Sequence, residues 1–113
     1  MENLQIEKRN KAVLVTCSGE ITLDVTPRLR ERIEAELGGG GYSFLVLDLS
    51  EVRFIDSSGI GFLVALSTRI EEQDKSFYLL RPGAQVLKTL ELVQLKRYFK
   101  ILRSDEELAA LTI

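Results

Sequence analysis

The chain has 113 residues, 45% of them hydrophobic and 28% charged, the size and balance of one globular domain over residues 1–113 rather than of a disordered chain. Fifteen basic residues against 17 acidic ones leave a net charge of -2 and no basic run, so nothing is provided for the phosphate neutralisation that nucleic-acid binding requires. With no histidine and one cysteine, a Ser-His-Asp triad, a Cys-His dyad, a His-ligated or Cys-rich metal site and an internal disulfide are all excluded.

The longest apolar run, Ile60 to Leu66, is far short of the roughly 20 residues that cross a bilayer. The opening MENLQIEKRN lacks the apolar core of a signal peptide. A cytoplasmic protein with no membrane insertion is the expectation, and the lone thiol fits a reducing compartment.

Alternation of apolar and polar residues predicts a first strand over Leu4–Glu7. A turn at Asn10-Lys11 leads into a second, Ala12–Ser18, with Val13, Val15 and Cys17 on one face and Leu14 and Thr16 on the other. The two are close enough for a hairpin, and Cys17 reads as a small core residue because no cation adjoins it. Thr26-Pro27 opens a helix, with Thr26 as its cap and Leu29, Ile33 and Leu37 as its buried stripe. Gly38 to Gly41 ends it. These glycines follow a helix instead of preceding one and lack the Lys-Ser/Thr of a phosphate-binding loop, so they read as a connection.

Phe44–Leu49 is apolar enough for a central strand covered on both faces. A helix follows over about residues 57–72, then a strand at Ser76–Leu80 and a turn at Arg81-Pro82-Gly83. Helical spacing returns over Ala84–Val93, a short edge strand fits Tyr98–Leu102, and Ser104 with Glu107 forms a capping box for a last helix burying Leu108 and Leu111. The whole predicts an α/β domain: a mixed central sheet of four to five strands packed with about four helices.

The most informative stretch is Phe54-Ile55-Asp56-Ser57-Ser58-Gly59-Ile60-Gly61, where a buried strand passes into an apolar helix. Asp and Ser are both good N-caps, so capping alone is one reading. Three candidate caps in a row exceed what a helix needs. Gly59 and Gly61 each cost about 1 kcal/mol relative to Ala inside a helix, and the second reading is a backbone left open to a visiting surface. In the helix, Ile60, Leu63, Val64 and Ile70 form a core stripe with Ser67, while Phe62 and Leu66 fall on another flank with Arg69. That flank is either deeply buried or an apolar patch beside the serines.

This segment, after the strand Leu45-Val46-Leu47-Asp48-Leu49, resembles the signature of bacterial anti-sigma factor antagonists, the small STAS-domain proteins. Ser18-Gly19-Glu20-Ile21, the helix positions Leu29 and Ile33, and Val86-Leu87-Lys88-Thr89-Leu90 through Phe99-Lys100-Ile101 extend the resemblance over nearly the whole chain. The resemblance implies a phosphorylation-controlled binding switch. Its acceptor is the serine after the motif Asp, which is Ser57 here, with Ser58 as runner-up. The implied partner is an anti-sigma factor with serine-kinase activity, and a serine phosphatase restores the unphosphorylated form. Asp56, Ser58, Gly59, Gly61, Phe62, Leu66, Thr22 and Asp24 are the implied partner-binding positions; catalytic residues, cofactors and metals are not expected. One departure stands out. Many relatives carry Asp directly after the Gly-Glu-apolar triplet, where this chain has Thr22 and its next acid is Asp24.

Two other functions compete. A STAS domain without phosphorylation serves as an adaptor subunit of a lipid-transport ATPase or as part of a signalling scaffold. A phospho-accepting receiver domain would use Asp48 near the end of the central strand, but the acidic pair that holds Mg²⁺ in receivers is missing after the early strands.

Overall fold

The computed structural model describes residues 4–112. In chain order the elements are β1 (Leu4–Arg9), β2 (Ala12–Ile21), α1 (Thr26–Leu37), β3 (Phe44–Ile55), α2 (Ser57–Glu71), β4 (Ser76–Leu80), α3 (Ala84–Leu92), β5 (Lys100–Leu102) and α4 (Asp105–Thr112). The five strands form one mixed sheet in the order β1-β2-β3-β4-β5. Only β1 and β2 pair antiparallel, as the hairpin expected around Asn10 (φ 52°); the other three pairings are parallel.

Strand order then dictates where the helices go. Each of α1, α2 and α3 connects neighbouring parallel strands, and each step extends the sheet in the same direction. Right-handed crossovers taken repeatedly in one direction put every connecting helix on the same face. Accordingly Leu29 and Ile33 of α1, Ile60, Leu63 and Ile70 of α2, and Val86 and Leu90 of α3 share one core with Val13, Val15, Cys17, Leu45, Leu47 and Leu49. The opposite face carries a smaller cluster, Leu14, Val46, Leu80 and Leu102, covered by Leu108 of α4 with Leu111 partly buried beside it. Because β2 to β5 never reverse direction across the sheet, the domain has no topological switch point, the crevice in which open α/β sheets usually receive a small ligand.

Several boundaries differ from the sequence reading. The central strand does not stop at Leu49: β3 runs on to Ile55, and β2 runs on to Ile21 beside it. Their pairing shifts register between Thr16 and Ser18 and again between Gly19 and Glu20. Gly19 at φ 86° supplies the left-handed geometry that the second irregularity needs. At α1 the cap position is Val25, with no side-chain capping bond, so Thr26 is already helical. Thr26 instead donates weakly to the Leu23 carbonyl, 3.5 Å away. The capping box of α4 is present: the Glu107 amide donates to Ser104 Oγ at 3.1 Å. Glu107 Oε1 in turn accepts from the Arg103 amide at 2.8 Å.

Two residues singled out by the sequence are structural. Cys17 is buried, and burial first, then the charge of Asp48, pushes its thiol up to about 12. It is therefore a neutral core thiol at physiological pH. Asp48 is buried as well; Oδ1 accepts from the Ser50 amide at 2.9 Å, and Oδ2 lies 3.5 Å from Arg81 Nη2. Arg81 Nη1 also reaches Asp105 of α4 at 3.3 Å. An enclosed carboxylate tied into this clamp is not displayed as a phosphoacceptor, which removes the receiver reading.

Candidate functional site

The long β2–β3 pair carries the chain beyond the body of the sheet and delivers it to α2. Ile21 pairs with Ile55, and the Asp56 amide donates to the Ile21 carbonyl at 3.3 Å. Asp56 then adopts extended backbone at the N-cap (φ -105°, ψ -173°), and its Oδ1 accepts from the Gly59 amide at 2.8 Å. The Ile60 amide closes the first helical turn on the Asp56 carbonyl at 3.0 Å. One residue thus does the capping, and it is the aspartate.

Both serines are left over from that task. Ser57 occupies the first helical position and is exposed; Ser58 is half-buried. Neither hydroxyl is engaged by another side chain or carbonyl among the described residues. Of the four amides at the head of α2 that lack a helical acceptor, those of Asp56 and Gly59 find other partners, which leaves the amides of Ser57 and Ser58 at the positive end of the α2 dipole.

Gly59 and Gly61 prove to be different. A Cβ at Gly59 would lie 2.4 Å from the Ile21 carbonyl oxygen and 2.4 Å from Ile55 Cγ1, whereas one at Gly61 would meet nothing within 4 Å. Gly59 is therefore buried packing between α2 and the ends of β2 and β3, not open backbone. Gly61 is exposed, as the open-surface reading requires.

Phe62 and Leu66 require a correction. They form no patch: Phe62 is 2% exposed and Leu66 4%. α1 lies along that flank of α2, and both residues join Leu29 and Ile33 in the main core. Arg69 with Glu34 (3.5 Å) closes the rim of the same seam. Exposed apolar residues occur instead near the ends of β2 and β3. Leu23, just past β2, is 66% exposed, and Phe54, near the end of β3, is 40% exposed. Leu23 stands between Thr22 and Asp24, and Phe54 between Arg53 and the buried Ile55.

Thr22 and Asp24 lie together in a groove of about 510 Å³ with Ser18, Gly19, Glu20, Val25, Glu51 and Arg53. The Thr22 carbonyl accepts from the amides of Val25 (3.0 Å) and Thr26 (3.1 Å), which fixes the turn into α1. Glu20, Asp24 and Glu51 make the groove acidic, with Arg53 the only cation lining it among the described residues. Arg53 Nη2 stands 3.8 Å from Glu20 Oε2 across an exposed surface, a pair of little energetic weight. Among the described residues no group of three His, Cys, Asp or Glu could hold a metal ion, and no helix is long and apolar enough to cross a membrane.

A sheet stepped in one direction, the three crossover helices on one face with α4 on the other, and a serine pair displayed at the head of the central helix define a small α/β domain. The STAS domain family model matches residues 3–109, and the chain belongs to that family. Over 96 residues it is 29% identical to the anti-sigma-F factor antagonist RsfB of Mycobacterium tuberculosis, covering 85% of this chain and 77% of the relative. The crystal structure of an anti-sigma factor antagonist from Mycobacterium paratuberculosis is 27% identical, with a TM-score of 0.82 over 95% of this chain and 91% of that one. The fold also matches the antagonist SpoIIAA in its unphosphorylated form (TM-score 0.79, 20% identity, 96% and 95% covered) and in the phosphorylated form from Bacillus (0.73, 19%, 96% and 98%).

Proposed function

We propose that this chain is a cytoplasmic anti-sigma factor antagonist whose binding is switched at Ser57. The observation that carries the reading is the division of labour at the head of α2: Asp56 satisfies the helix, so the exposed Ser57 hydroxyl has no structural duty. In the unphosphorylated state the chain offers the anti-sigma factor a neutral hydroxyl, the open backbone at Gly61, and the exposed Leu23 and Phe54. The anti-sigma factor, acting as an ATP-dependent serine kinase, transfers the γ-phosphoryl group of ATP to Ser57 Oγ, releasing ADP and the hydroxyl proton. That group brings about -1.5 to -2 charge and three acceptor oxygens. A helix N-terminus accommodates such an anion, so the fold persists while the interface is blocked. A serine phosphatase reverses the step. The chain itself supplies a substrate hydroxyl and a surface. Asp24 lies in the same groove as Thr22, which supports its standing in for the acid that relatives carry directly after the triplet.

The reading is tested by adding the unphosphorylated chain to a preformed complex of the candidate anti-sigma and sigma factors. Release of the sigma factor is expected, with Ser57→Ala at least as effective as the native chain once ATP is present. Binding to a transporter ATPase subunit or scaffold instead, with no sigma release, would replace the proposal by the adaptor function.

A further inference from the structure

β3 outruns its neighbour on one side. Its pairing with β4 ends at Asp48 opposite Leu80, after which the chain turns at Arg81 to Gly83, while pairing with β2 continues to Ile55. Main-chain groups of the β3 extension that point away from β2 have no strand to meet. A buried ladder position without a partner is costly, so a substitute is required.

Gln85, in the first turn of α3, is that substitute at the last residue of the strand. Its Oε1 accepts from the Ile55 amide at 3.0 Å, and its Nε2 faces the Ile55 carbonyl at 3.5 Å. A side-chain carboxamide has the donor and acceptor of a peptide group, so Gln85 takes the place of a β4 residue. Its own orientation is held from behind: Nε2 also donates to Thr89 Oγ1 at 3.1 Å, and Thr89 Oγ1 donates to the Gln85 carbonyl at 2.9 Å. Ile55 is thus gripped from the α3 side and Asp56 from the β2 side, through the Ile21 carbonyl. Ser57 is the next residue.

We infer that Gln85 is a positioning residue for Ser57: it fixes the backbone from which the hydroxyl is presented, although it lies on another helix and touches neither serine. The functional half of this inference rests on the Ser57 reading; the structural half does not. Phosphoryl transfer demands close placement of the acceptor oxygen, and a displacement near 1 Å costs up to about a hundredfold in rate.

The test compares Gln85→Met, which keeps length and helix propensity but removes both amide contacts, with Gln85→Glu, which keeps only the acceptor. Amide exchange over residues 53–58 is measured by mass spectrometry, alongside kcat and KM for phosphorylation by the anti-sigma kinase well below Tm. For Gln85→Met, exchange in that segment is expected to accelerate about tenfold with β4 unchanged, and kcat to fall about tenfold with KM within about threefold, as for a misplaced rather than unbound acceptor. Gln85→Glu should fall between Gln85→Met and the native chain in both measurements. A folded Gln85→Met protein with native exchange over residues 53–58 overturns the inference, whatever the kinase does. Accelerated exchange with native kcat on Ser57 overturns the positioning role while leaving the Ser57 reading intact. Absence of label on Ser57 in the native chain defeats the Ser57 reading, and the positioning role with it; the exchange result then stands as a structural finding alone.

Discussion

Replacing Ser57 by Asp is expected to weaken binding to the anti-sigma factor by about 100-fold while shifting Tm by less than about 2 °C. Two local effects on folding oppose each other. The new carboxylate sits at the first position of α2, where the helix dipole favours an anion by about 0.3–1 kcal/mol. It also follows Asp56 directly in the chain, and exposed like charges repel by amounts of the same order. The native hydroxyl makes no hydrogen bond that the substitution would break. A partner surface shaped for a neutral serine must strip water from the carboxylate, and a cost of about 2.7 kcal/mol corresponds to the stated loss. Calorimetric titration and thermal unfolding measure the two quantities separately. A Tm drop of many degrees with affinity retained would mean that Ser57 is structural.

The largest effect on stability is expected from Gly59→Ala. On propensity alone the substitution should gain about 1 kcal/mol. Packing reverses the sign: the new Cβ would stand 2.4 Å from a main-chain oxygen of β2 and 2.4 Å from Ile55 Cγ1. The Ile21 carbonyl cannot yield easily, because it already accepts from the Asp56 amide. Helix α2 must therefore back away from the sheet, at a net cost of about 2–3 kcal/mol, or roughly 8–15 °C in Tm. Gly61→Ala, two residues on, meets no atom within 4 Å and should raise Tm by a few degrees (~0.5–1 kcal/mol). Equal effects at the two positions would refute the packing argument. If Gly61 lies in the partner interface, the stabilised variant should nonetheless bind more weakly.

These two glycines show where the sequence stops being informative. They are the same residue type in the same helix, and only the close approach of Ile55 and of Ile21, nearly forty residues earlier, to Gly59 tells them apart. Local patterning served well where burial follows simple periodicity. The alternation of Val13, Val15 and Cys17 against Leu14 did divide between the two faces of the sheet, and the nearly unbroken apolar run Phe44–Leu49 lies in a strand whose residues from Leu45 to Leu49 are all buried. It failed over Ser50–Ile55, where the register shifts against β2 leave Val52 and Ile55 buried and the residues between them exposed, a spacing of three that resembles no strand. Phe62 and Leu66 failed for another reason. An apolar flank of a helix does not reveal whether a neighbouring helix will lie on it, and α1 does. The Gln85 contact spans thirty residues and carries no local signature at all.

The site was legible in outline because capping chemistry is local. Asp56 to Gly59 is a short segment whose hydrogen bond follows from residue type and spacing. What the sequence left open was which of three polar residues capped the helix, and the geometry answers with Asp56. The exposed apolar residues Leu23 and Phe54 come from two chain segments whose strands, β2 and β3, run side by side, a tertiary fact with no counterpart in either segment alone.

The most direct measurement is to incubate the native chain with its anti-sigma kinase and ATP and to locate the phosphate by fragmentation mass spectrometry. Label confined to Ser57, and lost in Ser57→Ala, is the predicted result. Label on Ser58, or a chain that binds the kinase tightly and is never modified, would contradict the assignment of the freed hydroxyl as the switch.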